Sequence, residues 1–389
     1  MKNTGRMALE LRYTAPPSVT AAVDSLGRTE DVRFSPSNRR LAVASFHRNR
    51  IVVFDIDIAS SLGATQVALT GSVELSSPVL QWPHGVDFID DDTVIVTSRG
   101  GDVALFTLSS GETGVPSPEV LPLARWPADG ATHLNAPGSV AVTRIEDDAC
   151  EVLICNNKGH TVTRHRLDRK ADHAITHTEI LLEKYLNIPD GVSVSPDRRW
   201  IAVSNHTAHN VLLYENTPAL NADAEPDGIL RHVHYPHGLR FTADGRHLFV
   251  ADAGSPYLHI YAQDPDQWRG VRHPVASARI MDDAVFERGR HNPEEGGPKG
   301  LDLDASSRVL VVTSECQPLA FFDVPALLQP AGGSVRELRI LGITHELSLM
   351  QERREMAEQA TEAQALRNSL SWRLTAPLRR LNSAIRRRG

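Results

Sequence analysis

Cysteine is scarce in this sequence, and the motifs of the common enzyme classes are missing from it. Cys150, Cys155 and Cys316 are the only cysteines among 389 residues, an odd, small set that is a poor disulfide framework and suits a reducing compartment. No C-x-x-C pair or Cys/His zinc spacing occurs. The sequence also lacks a P-loop, a G-x-S-x-G elbow, a G-x-G-x-x-G turn after a strand and an H-E-x-x-H pair. Any site must therefore be assembled by the fold.

Long apolar runs are absent as well. The first residues, MKNTGRMALELRYTAPPS, have no apolar signal-peptide core, and no stretch has about 18 uninterrupted apolar residues. Hydrophobic residues make up 41% of the chain and charged residues 23%, which is typical of a folded soluble protein. We therefore expect a cytoplasmic protein without a membrane span.

The net charge of −7 is divided unevenly along the chain. Residues 343–389 hold nine arginines and five glutamates, a net charge of +4, so the remaining residues carry −11. An acidic body argues against a nucleic-acid-binding surface. The basic end calls for a separate explanation.

A repeat with a period near fifty residues runs through most of the chain. Six units align on a P-x-G word or its equivalent, with offsets of 54, 54, 52, 47 and 62 residues. Each unit contains a short alternating strand, a polar turn, a strand of branched residues and a third strand, followed by a looser apolar run that suits an outer strand. The units start near Thr29, Pro83, Pro137, Pro189, Pro236 and Pro298.

Four antiparallel strands repeated six times predict an all-β fold, a six-bladed β-propeller, over residues 1–342. Radial stacking buries the sheet faces that no blade can bury alone. Two segments compete to complete the sixth blade, ALELRYTA (8–15) and VRELRIL (335–341). Residues 343–389 are predicted to form a C-terminal α-helical, basic amphipathic tail.

Over roughly residues 10–342 the chain resembles six-bladed propellers built from NHL-type repeats. The resemblance rests on the P-x-G words and on LFVADAGSPYLHIY. FSPSNRRLAVAS and VSPDRRWIAVS are equally similar to seven-bladed propellers of the surface-layer and lactonase type. These resemblances imply a propeller and leave its blade number open.

The residue before the glycine of each P-x-G word, or its equivalent in the other units, is predicted to lie in one ring at a mouth of the central channel. The first strand of every blade lines this channel. Charged side chains confined to such a ring are costly unless they pair or bind something. We therefore predict a divalent metal or an anionic substrate at this mouth; the alternative is a solvated polar ring. The ring consists of Glu30, His84, Gly138, Asp190, His237 and Lys299.

Two family resemblances point to a metal. The P-H-G words of His84 and His237 are similar to words in which peptidyl-hydroxyglycine lyases bind zinc. Asp190, in IPDGVSV, resembles a metal ligand of the gluconolactonase and regucalcin family, and Glu30 holds the equivalent place in the first unit. The resemblances imply that Glu30, His84, Asp190 and His237 bind zinc, calcium or manganese. In an enzyme, Lys299 or a ring histidine not bound to the metal would act as acid or base, so His237 is a candidate for this role as well as for a metal ligand.

A second set of polar residues follows the second strand of each unit. We predict that these residues hydrogen-bond the hydroxyls of a ligand; the alternative is ordinary turn chemistry. The polar insertion FERGRHNPEEGGP (286–298) explains the offset of 62 residues and is a candidate lid over one mouth. The predicted ligand-binding residues are Ser98, Asn156, Asn205, Asp252 and His206.

The tail begins with ELSLMQERREMAEQATEAQALRNS, which predicts a helix, and ends with LSWRLTAPLRRLNSAIRRRG. Trp372 and leucines interspersed with arginine, without acid, favour an anionic membrane surface; a protein partner, RNA binding or a disordered basic tail are the alternatives. SLSWRLTAPLRRL resembles the tail of bacterial glycosyltransferases and methyltransferases of surface-polysaccharide assembly. The resemblance implies a place at the cytoplasmic face of the inner membrane.

Together these features predict a cytoplasmic propeller of surface-polysaccharide biosynthesis, peripheral at the inner membrane, that binds a glycan or sugar-derived molecule at a metal-binding mouth. One hypothesis is an enzyme, a metal-dependent lactonase, lyase or hydrolase. The other is a non-catalytic module that docks a glycan or a polysaccharide-assembly protein. No nucleic-acid partner is expected.

Overall fold

The computed structural model describes residues 8–61, 64–108, 119–265, 267–292 and 294–329. Within these ranges the strands form six separate sheets of four or five strands each. The first strands of neighbouring sheets contact one another in a closed ring, so each sheet is one blade around a central channel. The prediction of a six-bladed β-propeller is confirmed.

The first three blades start at the residues that the repeat predicts. A two-residue strand near the N-terminus adds to blade one in parallel with its fourth strand. Blade one contains Thr29–Phe34, Arg40–Ser45, Arg50–Ser61, Ala64–Ser76 and the added Tyr13–Thr14; blade two contains Pro83–Asp90, Thr93–Ser98, Val103–Thr107 and Ala124–Trp126; blade three contains Pro137–Ile145, Ala149–Asn156, Thr161–Asp168 and Ala174–Leu182.

Blades four and five also start at the predicted prolines, whereas the first strand of blade six begins three residues after Pro298. Blade four contains Pro189–Val194, Trp200–Asn205, Asn210–Glu215, Gly228–Leu230 and, in parallel, Gly270–Arg272; blade five contains Pro236–Phe241, His247–Asp252, Tyr257–Ala262 and Ala276–Arg279; blade six contains Leu301–Leu303, Val309–Val312, Ala320–Asp323 and Glu10–Leu11.

The N-terminal segment completes the sixth blade. Glu10 pairs with Phe322 and Leu11 pairs with Phe321 in an antiparallel ladder. Of the two segments that the sequence left in competition, 8–15 therefore supplies the fourth strand. The other, 335–341, lies outside the described residues.

An apolar cluster lies between every two neighbouring blades, because each sheet buries both of its faces. Between blades one and two, Val53 packs in one cluster with Val86 and Phe106. Burying one large apolar side chain contributes about 1.5–3 kcal/mol. The ring is thus stabilised by repeated interfaces, which hold the channel-lining strands in place.

Helices are few in the described part of the chain. Pro17–Asp24 buries Val19 and Val23 in the cluster between blades six and one. None of the described helices is both long and apolar enough to span a membrane. The predicted tail, 343–389, lies outside the described residues. The helices are Pro17–Asp24, Asp283–Gly289 and Val324–Leu328, with 3₁₀ turns at Phe46–Arg48 and His206–Ala208.

Candidate metal centre

Ionisable side chains from five blades meet at one mouth of the channel, four of them on first strands and one just before the first strand of blade six. Each is at most 3% exposed, so the predicted ring is assembled and buried rather than solvated. Such groups are costly in a protein interior unless they are paired or bind an ion. The buried members are Glu30, His84, Asp190, His237 and Lys299.

Glu30, His84 and His237 form a group that can hold a metal ion. One donor atom of each residue lies within 4.8 Å of the donor atoms of the other two. Oε2 of Glu30 is 3.3 Å from Nε2 of His237 and 3.9 Å from Nε2 of His84. The two imidazoles stack with 5.4 Å between their centroids. Two imidazoles and one carboxylate are a donor set of catalytic zinc sites.

Asp190, the fourth predicted ligand, contacts both of these histidines. Its Oδ2 is 3.2 Å from Nε2 of His237, and its Oδ1 is 3.4 Å from Nε2 of His84. Asn157 and Arg99 donate hydrogen bonds to Oδ1 at 2.7 and 3.1 Å. Burial opposes the charged form of Asp190, but His237, His84 and Arg99 outweigh it and hold the pKa of the carboxyl well below its usual range.

Gly138, the ring member without a side chain, leaves room for Asn157. A Cβ atom added to Gly138 would lie 2.3 Å from Oδ1 of Asn157. Blade three therefore contributes an amide from the end of its second strand where the other blades contribute a side chain from the first. This amide fixes the orientation of Asp190.

Glu30 stays ionised because cations surround it. Nζ of Lys299 donates to Oε2 of Glu30 at 3.2 Å, and Nε of Arg28 forms a salt bridge with Oε1. Burial raises the pKa of Glu30, but Lys299, the hydrogen bond from His237 and Arg28 outweigh burial and hold that pKa well below its usual range. Lys299, a predicted catalytic residue, is thus placed directly beside the metal-ligand group.

The pKa values of His84 and His237 are shifted in opposite directions. Burial, together with nearby Arg99, lowers the pKa of His84 to about 3, so this ring is neutral at neutral pH. Nη2 of Arg99 lies 2.8 Å from Nε2 of His84, and a guanidinium can only donate, so Nε2 carries a lone pair. Burial lowers the pKa of His237, but Asp190 and Glu30 outweigh it and raise that pKa above its ordinary value.

His206 links the ring to the insertion before blade six. Its Nδ1 is 3.6 Å from Oδ2 of Asp190, and its Nε2 is 3.4 Å from Oε1 of Glu295. Glu295 also accepts a hydrogen bond from Nζ of Lys299 at 2.6 Å. Burial lowers the pKa of His206, although Asp190 and Glu295 oppose this shift. The insertion that the sequence suggested as a lid therefore supplies a carboxylate to the mouth.

The rim around the ring is charged and more exposed than the ring itself. The side chains of Arg99 and Arg28 are 28% and 18% exposed, and those of Glu295 and Glu315 are 15% and 13% exposed.

Four of the five predicted ligand-binding residues lie within their own blades. Oδ1 of Asn156 accepts from the backbone N–H of Asn135, and Asn205 makes the matching contact in blade four. Oδ2 of Asp252 lies 3.0 Å from Nε2 of His259. Oγ of Ser98 is buried and has no hydrogen-bond partner among the described residues. Ligand binding by these four residues stays a prediction.

The sequence analysis missed Arg99 and Asn157 by one position. It selected Ser98 and Asn156 at the ends of the second strands, but side chains alternate along a strand and the next residue turns to the channel mouth. The same repeat alignment, extended by one residue, would have identified the set. The residues at this later position are Phe46, Arg99, Asn157, His206, Ala253 and Glu315.

Comparison with known proteins adds little to this site. The sequence matches no family model and no curated protein. Among solved structures, a functionally unknown protein from Desulfotomaculum acetoxidans DSM 771 is similar, with 14% identity and a TM-score of 0.48 over 76% of this chain and 83% of that chain. The chemistry of the site therefore rests on its own residues.

Proposed function

We propose that the propeller binds one divalent cation through Glu30, His84 and His237, and that this ion holds a sugar-derived anionic ligand at the channel mouth. The observation that carries the proposal is the buried group of three donor side chains, all within 4.8 Å of one another. Zinc suits this donor set best, since two of the three ligands are imidazoles.

The spacing of the donors supports a tetrahedral ion. With zinc–ligand bonds of about 2.0–2.1 Å, neighbouring ligand atoms lie about 3.3 Å apart. Glu30 and His237 already have this separation, at 3.3 Å, and His84 is 3.9 Å from Glu30. Asp190 lies 3.2 and 3.4 Å from the two imidazoles, so it can serve as a fourth ligand or orient them.

Arg99 and Lys299 occupy cation positions next to the same donors. Arg99 contacts both His84 and Asp190, and Lys299 contacts Glu30. A bound ion would coordinate Nε2 of His84 in place of the hydrogen bond from Arg99. The partly exposed guanidinium would then be free to hold the negative charge of a ligand at the rim.

If the site is catalytic, we propose that the protein is a lactonase, lyase or hydrolase. A bound ion would polarise a carbonyl oxygen of the ligand. Lys299, between Glu30 and Glu295, and His206, between Asp190 and Glu295, would hold or accept a proton there. His237, predicted as a catalytic residue as well as a ligand, is in this proposal a ligand.

The biological setting is also proposed, on sequence alone. Residues 367–389 contain seven arginines and no acidic residue, which supports contact with an anionic membrane surface. The resemblance of this tail to those of polysaccharide-assembly enzymes supports a glycan-derived ligand and an assembly protein as partner.

Metal binding is tested by titrating the chelator-treated, full-length protein with zinc, manganese and calcium in a calorimeter. We expect one ion per chain. His84→Ala and His237→Ala should each lower the affinity at least about tenfold, the loss that follows removal of even an outer partner of a metal ligand. The matched control is His177→Ala, an exposed histidine on an outer strand, which should bind like the wild type.

Arg99→Gln separates a metal site from a purely structural charge cluster. It removes a positive charge that competes with the ion while keeping a polar side chain, so we expect tighter metal binding. A wild-type protein that binds none of the three ions would overturn the proposal. The ring would then be a self-neutralised structural element, and the non-catalytic docking module would be the better account.

A further inference from the structure

A second charged ring lies in the channel, three residues further along the same first strands. Since a strand advances about 3.3 Å per residue, this ring lies about 10 Å from the metal-ligand group. Four blades place an arginine or aspartate here, and two place a small residue. The members in blade order are Arg33, Asp87, Ala141, Ser193, Arg240 and Asp302.

The charged members connect neighbouring blades. Asp87 accepts a hydrogen bond from the backbone N–H of Val142 at 2.7 Å, and Asp302 accepts from that of Phe34 at 2.8 Å. Nε of Arg240 donates to Oδ1 of Asp302 at 2.8 Å. These bonds join blade two to blade three, blade five to blade six, and blade six to blade one.

A cavity of about 550 Å³ opens beside this ring, where Ala141 and Ser193 replace the long side chains. Its volume lies within the usual range of small-molecule sites. Four arginines and two aspartates line it, so the lining residues are net positive, and Arg144 also forms a salt bridge with Glu146 beside the lining. The charged lining residues are Arg33, Asp87, Arg144, Arg198, Arg240 and Asp302.

The two inner guanidiniums retain unused donors. Nη1 of Arg33 donates to Asp31 and to the carbonyl of Leu301, while the bonds of Arg240 leave from Nε and Nη1. Among the described residues, Nη2 of each has no hydrogen-bond partner. Nε of Arg33 is buried and also has no hydrogen-bond partner, and Oδ1 of Asp87 lies 4.0 Å from it.

We propose that this cavity binds a small oxyanion, a phosphate ester or a carboxylate, which Arg33 and Arg240 hold inside and which Arg144 and Arg198 attract at the rim. A guanidinium fork matches both kinds of oxyanion. Burial supports the assignment, because it raises the pKa of Asp87 to about 7 and that of Asp302 to about 6, which reduces the negative charge facing the ligand. The site is separate from the metal centre.

Three probes with a six-carbon polyol skeleton test the proposal by calorimetry on the full chain: glucose 6-phosphate, gluconate and uncharged glucose. We expect one or both charged probes to bind and glucose not to bind. The charged probe that binds tells a phosphate ester from a carboxylate. Ala141→Phe should abolish binding, because the ring would fill the cavity, and Arg144→Gln/Arg198→Gln should weaken it about tenfold.

Two controls keep the result specific. The double variant Arg125→Gln/Arg269→Gln also removes two positive charges, but from partly exposed sites outside the cavity lining. It should bind the charged probes like the wild type. His84→Ala/His237→Ala should also retain binding, which separates this cavity from the metal centre. Failure of both charged probes to bind the wild type, or unchanged binding to Ala141→Phe, would overturn the proposal.

Discussion

At the scale of single residues, the glycine that follows four of the six ring positions is required by the close approach of the next blade. A Cβ atom on Gly85 would lie 2.5 Å from the carbonyl oxygen of Gly138, and one on Gly191 would lie 2.3 Å from that of His237. Neighbouring first strands therefore approach so closely that only glycine fits at this position of the P-x-G word. The sequence revealed the word through its repetition, but the close contact that requires glycine is visible only in three dimensions.

Gly191→Ala should destabilise the propeller by about 2 kcal/mol or more, because the backbone of blade five would have to move away. The comparison is Gly130→Ala, where the added Cβ meets nothing within 4 Å. Urea denaturation measures both variants. Equal free energies of unfolding for the two variants would contradict this account of the word.

Asp87 should make stability depend on pH in a defined direction. Burial raises its pKa in the folded state to about 7 from an ordinary value of 3.8. Between these values the folded chain holds a proton that the unfolded chain has lost, so the contribution of Asp87 to stability falls as pH rises.

Asp87→Asn removes this titration. Its free energy of unfolding, relative to the wild type, should therefore increase from about pH 4 to about pH 7 and stay level above that. Asp55→Asn, at an exposed position, serves as the control and should show no such trend. A constant difference between wild type and Asp87→Asn across this interval would show that Asp87 does not titrate there.

At the scale of elements, closure of the ring depends on two residues near the N-terminus. Glu10–Leu11 pairs with Ala320–Asp323 to complete blade six. The sequence could not choose between this segment and 335–341, because both contain apolar residues that suit an outer strand and strand pairing is a long-range contact. Periodicity identifies a strand, but it does not identify its partner.

Deleting residues 1–14 should lower the melting temperature markedly, because blade six would lose its fourth strand and blade one its added strand. Deleting residues 335–389 should leave the melting temperature close to that of the full chain, because the four strands of blade six are already present without them. Differential scanning calorimetry compares the two truncations. The opposite order of stability would assign ring closure to the C-terminal segment.

At the scale of the whole molecule, the repeat made the architecture and the ring predictable. Glu30, His84 and His237 occupy equivalent positions in units that are distant in sequence, and the propeller brings them together. Arg99, Asn157 and the oxyanion cavity were not predicted. Arg99 and Asn157 depend on side-chain direction at the ends of second strands, and the cavity depends on small residues at an inner position of two adjacent blades.

The metal centre is the central claim, and crystals of the full-length protein soaked in zinc test it most directly. Anomalous diffraction at the zinc edge should show one peak on the channel axis, about 2.0–2.2 Å from Oε2 of Glu30 and from Nε2 of both His84 and His237. Arg99 should have withdrawn from His84. The absence of a peak in this ring, with Arg99 still bridging His84 and Asp190, would contradict the account.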